Sequence, residues 1–248
     1  MQLREFFAAH PKAALAFSGG VDSAYLLYAA KTCGANVTAY YVNSEFQPRF
    51  ELDDARRLAS ALGMPLRVLP LAVLSDPTVA ANPPDRCYYC KKRIFSAIAA
   101  AAAEDGFSLL LDGTNASDSA DDRPGMRALR ELSVRSPLRE CGLTKAEIRA
   151  RSKAAGLFTW DKPAYACLAT RVPTGETITA EKLAVTERAE CFLAELGFSD
   201  FRVRRMNGAA RIELPEAQLP QLLQQRERIL AALKPLYGTV LLDLEVRP

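Results

Sequence analysis

The sequence predicts an α/β fold, a doubly wound parallel sheet followed by a smaller α+β C-terminal domain. Three observations carry this. Short apolar runs alternate with helix-periodic stretches as far as Leu111. A glycine-rich turn joins the first run to the first helix. Beyond Gly175 the alternation gives way to two segments flanking Asn207-Gly208, a strong two-residue hairpin signal.

Taken in order, Ala13–Phe17 reads as a buried strand and Asp22–Thr32 as the helix after the turn, ended by Gly34. Val37–Val42 is the second strand. Glu51–Leu62 has helical spacing and stops at Gly63-Met64-Pro65, and Leu66–Leu69 is the third strand. The alanine-rich stretch Cys90–Ala103 is helical and Ser108–Leu111 is the fourth strand. Leu143–Ala155 is a helix, with Thr144 and Glu147 spaced as a capping box. Ala180–Leu196 is an amphipathic helix, Phe201–Met206 and Ala209–Leu214 form the hairpin, Gln221–Leu233 is helical and Val240–Val246 is a last strand. Antiparallel pairing is expected throughout this part. The aperiodic stretch Gly156–Gly175, with Pro163, Cys167 and Pro173, separates the two patterns. The expected organisation is a nucleotide domain over 1–160, a cysteine-bearing loop over 161–176 and a smaller domain over 177–248.

Composition narrows the function. Apolar residues make up 49% of the 248, enough for a sizeable core. The net charge of +3 is too small to argue for nucleic acid. No apolar run approaches the ~20 residues of a spanning helix, and Met1–His10 lacks a signal-peptide core, so a cytoplasmic protein without membrane partners is expected. The single histidine, His10, nearly excludes histidine triads and His-based zinc catalysis. Six cysteines are too few for a disulfide scaffold of this length, and Cys87 and Cys90 stand as Cys-x-x-Cys, pointing to metal, cluster or redox chemistry.

The first chemical motif is Ser18-Gly19-Gly20-Val21-Asp22-Ser23, between strand and helix. Glycines let the backbone approach an anion, and exposed N–H groups at a helix start hold phosphate. Ser18 and Ser23 add hydroxyls. Asp22 repels phosphate unless a metal or a backbone N–H engages it, so Mg²⁺ is a natural companion. A ligand-free tight turn is the bland alternative; six residues in this context favour a nucleotide. The motif resembles that of the pyrophosphatase-loop (PP-loop) ATPases. The resemblance implies that ATP's β,γ-phosphates leave as pyrophosphate while AMP passes to a substrate oxygen.

Three further segments resemble one member family, LarE, the pyridinium-3,5-biscarboxylic acid mononucleotide sulfurtransferases. They are Asn82–Lys91, which holds Cys87 and Cys90; Asp112–Asp118, continuing through Asp122–Gly125 to Ser136–Leu138; and Ala166–Arg171, which holds Cys167. The resemblance implies adenylation of a pyridinium carboxylate followed by sulfur insertion to a thiocarboxylate, in nickel-pincer nucleotide cofactor biosynthesis. A carboxylate is a poor electrophile because attack must expel oxide; a mixed anhydride with AMP supplies the leaving group.

Two sulfur sources are compatible with the family. Cys167 is sacrificed, its Cβ–S bond breaking to leave dehydroalanine, or Cys87, Cys90 and Cys167 hold a 4Fe–4S cluster with an extra sulfide. The presence of all three cysteines favours the cluster. A zinc site completed by Cys141 or an acid, and a redox-active dithiol, are the plainer readings of these cysteines. Cys33, Cys141 and Cys191 read as structural cysteines.

Gly113, Asn115 and Asp118 follow the fourth strand at the carboxyl edge of the sheet, where nucleotide or Mg²⁺ contact is expected. Arg202, Arg204, Arg205 and Arg211 cluster on the hairpin. The resemblance implies that Arg202 and Arg204 bind the substrate's phosphate and that Glu190 is the catalytic helix glutamate, with Glu187 a competing register; a solvated sheet face is the plain alternative for the arginines. Trp160 and Tyr165 read as packing residues. Other functional classes are a tRNA-thiolating enzyme, a non-catalytic metal-binding nucleotide sensor and an ammonia-using synthetase. The family's tendency to assemble implies a homo-oligomer.

Overall fold

A computed structural model describes residues 1–118 and 124–247. The chain forms two compact units: Met1–Val73 with Asp85–Lys162, and Leu74–Pro84 with Pro163–Pro248.

The first unit runs α1 (Leu3–Ala9), β1 (Lys12–Ala16), α2 (Val21–Thr32), β2 (Asn36–Asn43), α3 (Arg49–Leu62) and β3 (Leu66–Pro70). After α4 (Pro77–Ala80), which belongs to the second unit, it resumes with α5 (Arg86–Glu104), β4 (Leu110–Leu111), α6 (Pro124–Glu131), α7 (Pro137–Glu140) and α8 (Lys145–Ala154). The sheet order is β3-β2-β1-β4 and every pairing is parallel.

Alternation along the strands builds two cores, as expected of a sheet covered on both faces. Ala13 and Leu15 of β1, with Val37, Ala39 and Tyr41 of β2, pack with α1, α2, α3 and α8. Ala14 of β1, with Tyr40 and Val42 of β2, packs with Phe95 and Ile98 of α5 and Leu129 of α6. Each large apolar side chain so buried stabilises the fold by about 1.5–3 kcal/mol. The doubly wound fold is thus the one the alternation predicts. Strand order reverses between β1 and β4, so the loops after these strands flank the crevice where such sheets bind ligands.

Three local differences from the sequence reading have physical causes. Helix α5 starts at Arg86, ahead of the expected Cys90, so Cys87 and Cys90 both lie on its first turns, one turn apart. Helices α1 and α6 are too short for their periodicity to stand out. The segment after α6 adds an isolated parallel bridge, Leu111 to Arg135, at the β4 edge.

The second unit contains α9 (Ala180–Glu195), β5 (Arg202–Met206), β6 (Ala209–Glu213), α10 (Leu219–Gln224), α11 (Arg226–Tyr237) and β7 (Val240–Leu242). β5 and β6 form the antiparallel hairpin, with φ of 51° at Asn207 and 84° at Gly208. β7 pairs parallel to β6, which corrects the expected antiparallel arrangement: α10 and α11 form a crossover that returns the chain in the same direction. One continuous helix was expected where α10 and α11 stand; Gln225, at φ −94° and ψ 6°, divides them. Their apolar faces pack with Leu193 of α9, Val203 of β5 and Ile212 of β6.

Candidate active site

In the first unit, β1 delivers the chain into Ser18–Ser23 and α2 begins at Val21 with Gly20 as its N-cap. Gly19 has φ +72°, a conformation L side chains rarely adopt, and a Cβ there would meet the α3 backbone at Ala55 N and Glu51 O, both at 3.4 Å. The loop is braced internally. Ser23 Oγ donates to Gly20 O at 3.2 Å and accepts from Ser18 N–H at 3.3 Å; the two serine hydroxyls stand 3.2 Å apart. The result is a pre-formed turn at the positive end of α2.

The loop after β4 closes against this turn. A Cβ on Gly113 would lie 2.9 Å from Ser23 N, so only glycine allows the approach. Asp112 is buried; it accepts from Ser136 Oγ at 2.6 Å, from Thr114 N–H at 3.3 Å and, through a short contact, from the Thr114 hydroxyl. Asn115 N–H donates to Asp118 Oδ2 at 2.9 Å, and Asn115 Oδ1 accepts from Ser117 N–H at 2.8 Å. Asn115 Nδ2 reaches Asp22 Oδ1 at 3.3 Å. Ser18, Gly19, Gly20, Val21, Asp22, Ser23, Gly113, Asn115 and Asp118 therefore lie on the β1–α2 turn with the first turn of α2 and on the adjoining loop after β4, at the switch point. Asp122 and Arg123 of the second motif lie outside the described residues.

Sequence reasoning missed Lys145, the first residue of α8. Its ammonium pairs with Asp22 Oδ2 at 2.5 Å. Its backbone is held by Ser117 Oγ at 3.0 Å, and the capping box read from Thr144 and Glu147 is present just before it. The capping signal was visible; the pairing, 123 residues apart in sequence, was not. Arg139 was also missed: it donates to Asp118 O through a short contact.

The second unit carries the other half of the expected machinery. Cys167, partly exposed, precedes a 3₁₀ turn over Leu168–Arg171. Arg171 is buried and forms a fork with Glu190: Nε to Oε1 at 2.7 Å and Nη2 to Oε2 at 3.1 Å. Its Nη1 donates to Ala166 O at 2.9 Å and Thr170 Oγ1 at 2.8 Å. Glu190 also accepts from Tyr165 O–H at 2.5 Å and Val203 N–H at 2.9 Å. Burial opposes the Arg171 charge, but its hydrogen bonds to Glu190 prevail and raise its pKa.

Arg202 and Arg204 alternate onto one face of β5, as read. Arg202 is buried and donates to Phe201 O at 2.6 Å and, through a short contact, to Ala164 O. Burial, then the Arg171 and Arg247 cations, lowers its pKa. Arg204 reaches Thr170 O at 2.6 Å and Glu213 Oε2 at 2.8 Å. Both arginines thus hold the cysteine-bearing segment. Tyr165 stacks beneath Arg171 at 4.7 Å, and Trp160, in the first unit, beneath Lys153 at 4.4 Å.

Of the Cys-x-x-Cys pair, Cys87 is exposed and Cys90 buried. Among the described residues no group of three or more His, Cys, Asp or Glu side chains is assembled for a metal ion. Cys33 and Cys141 pack partly buried against the first core. Cys191 lies exposed on α9, not in a core as its helical setting implied. No helix among the described residues is long and apolar enough to cross a membrane.

A parallel sheet with an anion cradle at its switch point and an Asp-bearing loop opposite defines a PP-loop protein of the α/β class. A family profile for queuosine biosynthesis protein QueC matches residues 12–82, which hold the cradle. The chain is 40% identical over 233 residues to the pyridinium-3,5-bisthiocarboxylic acid mononucleotide synthase of Lactiplantibacillus plantarum, covering 93% of this chain and 84% of that one. It belongs to that family, LarE, and is a sulfurtransferase enzyme of PP-loop type. An uncharacterized protein of Synechocystis is also 40% identical, over 90% of this chain and 83% of its own. A tRNA-specific 2-thiouridylase of Frankia alni is 30% identical over 60% of this chain and 52% of its own, a more distant and partial likeness.

Proposed function

We propose that this chain uses ATP to adenylate a carboxylate of a pyridinium dicarboxylate mononucleotide and replaces the activated oxygen with sulfur, a step in nickel-pincer nucleotide cofactor biosynthesis. The observation that carries the reading is the braced anion cradle on a chain 40% identical to a synthase of a bisthiocarboxylic mononucleotide.

The N–H groups at the start of α2, with Ser18 and Ser23, hold the departing pyrophosphate. Asp22 would provide a carboxylate for Mg²⁺ at the mouth of the cradle. Gly113, Asn115 and Asp118 form the nucleotide's second wall. A substrate carboxylate oxygen attacks the α-phosphorus and the bond to the β-phosphate's bridging oxygen breaks, giving acyl adenylate and pyrophosphate. Sulfur then adds to the acyl carbon and AMP leaves. Arg202 and Arg204 serve the mononucleotide's phosphate with their remaining N–H donors.

The three thiols Cys87, Cys90 and Cys167 suit soft iron as a donor set, two of them one helical turn apart. They would hold a 4Fe–4S cluster, which supplies a sulfide nucleophile when bound. In the sacrificial alternative, Cys167 Sγ itself attacks and expels AMP; loss of the Cα proton then breaks the Cβ–Sγ bond, leaving dehydroalanine on the chain and the sulfur on the thiocarboxylate.

The test uses anaerobically purified protein with ATP, Mg²⁺ and the mononucleotide. Cys167→Ala is expected to release pyrophosphate and form no thiocarboxylate. Absence of pyrophosphate from the wild type sinks the reading. Iron and acid-labile sulfide support the cluster; one bound zinc overturns it. Loss of H₂S from Cys167 after turnover marks the sacrificial route.

A further inference from the structure

We infer that Arg171 is a positioning residue: locked by Glu190, it fixes the backbone around Cys167 and so holds that cysteine's sulfur in one geometry for sulfur transfer, whether the sulfur itself attacks or ligates the cluster. The inference deepens the sulfur-transfer reading and rests on it for its kinetic part.

The argument begins with satisfaction of donors and acceptors. Arg171 has a side chain 0% exposed, so an unmet N–H would be costly. All three of its nitrogens are used. Nε and Nη2 take the two oxygens of Glu190, and Nη1 takes Ala166 O, Thr170 Oγ1 and, at the longer distance of 3.5 Å, Cys167 O. The guanidinium therefore grips the carbonyls of the two peptides on either side of the Cys167 Cα. The turn is closed from its far end as well: Thr170 N–H and Thr170 Oγ1–H donate to Cys167 O at 3.0 and 2.8 Å.

The counterpart Glu190 is equally committed. Its oxygens accept from Arg171, Tyr165 O–H and Val203 N–H, tying the grip to α9 and β5. Both carboxylate oxygens are thus occupied by the fork, a phenol and a backbone amide. This commitment makes Glu190 an anchor for Arg171 and not a proton carrier. The planar fork matters, because a lysine reproduces the charge but not paired bonds to Glu190 together with bonds to Ala166 O and Thr170 Oγ1.

Arg171→Lys separates geometry from charge. With ATP, Mg²⁺ and the mononucleotide, pyrophosphate release and the substrate KM are expected to stay at wild-type values. Thiocarboxylate formation is expected to fall by about a hundredfold, the scale of a misplacement near 1 Å. A second readout needs no turnover: peptide-resolved alkylation of the protein as purified is expected to run about tenfold faster at Cys167, the loss of roughly one backbone hydrogen bond, and unchanged at Cys87. Wild-type alkylation at Cys167 in a folded Arg171→Lys protein overturns the proposal. So does an equal loss of pyrophosphate release and sulfur transfer. Should the lysine variant not fold, Arg171→Gln/Glu190→Gln removes both charges while keeping hydrogen-bonding groups, and the same alkylation comparison decides. If the wild type itself makes no thiocarboxylate, the sulfur-transfer reading fails while the alkylation result still judges the grip on Cys167.

Discussion

Lys145 Nζ lies 2.5 Å from Asp22 Oδ2, so the acid inside the anion cradle is neutralised by a lysine from the start of α8. Unpaired, that carboxylate would face arriving phosphates with its full charge.

Lys145→Gln is accordingly expected to raise the KM for ATP about tenfold at low salt, a modest value because the pair is partly exposed. The penalty should shrink as salt rises. Asp22→Ala is expected to lose pyrophosphate release altogether. Initial-rate measurements across ionic strength check both, and a salt-independent Lys145→Gln defect would argue against the electrostatic account.

Gly113→Ala places a methyl 2.9 Å from Ser23 N. Helix α2 or the β4 loop must shift, at a cost of about 1–3 kcal/mol. Thermal melts together with nucleotide titration should show lower stability and weaker binding. Unchanged affinity would mean that the close approach of the two loops does not shape the nucleotide site.

Glu190→Ala leaves the Arg171 guanidinium buried without its partner. Breaking a buried pair in this way costs about 3–5 kcal/mol, which urea unfolding would read as a lower midpoint. A loss below 1 kcal/mol would mean that solvent reaches the site.

The Arg135 guanidinium holds Glu140 by bonds of 2.8 and 2.5 Å and lowers its pKa, although partial burial opposes this. The folded value lies below the ordinary carboxylate value of about 4.3. Its contribution is therefore complete above that pH and is lost as pH falls through the folded value. The stability gap between wild type and Glu140→Gln should be widest near neutrality and close in acid. A gap that widened in acid would contradict the assignment. The pair matters to the site because Ser136, between its two members, hydrogen-bonds Asp112.

What was legible in the sequence was contiguous. Ser18–Ser23 could be read because six adjacent residues state both the turn and its chemistry, and the sheet followed from apolar alternation. Thr144 and Glu147 announced a cap for the same reason. Lys145 was opaque, since nothing near it in sequence mentions Asp22. Gly113 could be read as a nucleotide contact from its place after the fourth strand, but its need to be glycine, set by the approach of Ser23 N, could not. Arg171 was part of a recognised motif, yet its meaning depends on Glu190, Ala166 and Val203, which no periodicity joins. The direction of β7 was unreadable as well: parallel or antiparallel pairing depends on the path of α10 and α11, not on β7's own residues.

The segment Leu74–Pro84 is grouped with the residues that follow Pro163. Asn82 is buried there and donates through Nδ2 to Pro173 O at 2.8 Å; its own carbonyl accepts from Gly175 N–H at 2.8 Å, and Ala80 O accepts from Ile178 N–H at 2.8 Å. A gene fragment stopped after Lys162 would therefore express an orphaned stretch stripped of its hydrogen-bonding partners, and one begun at Pro163 would lack the strip that closes it. The two halves of the polypeptide are interleaved by sequence, so neither can be obtained intact with a single cut.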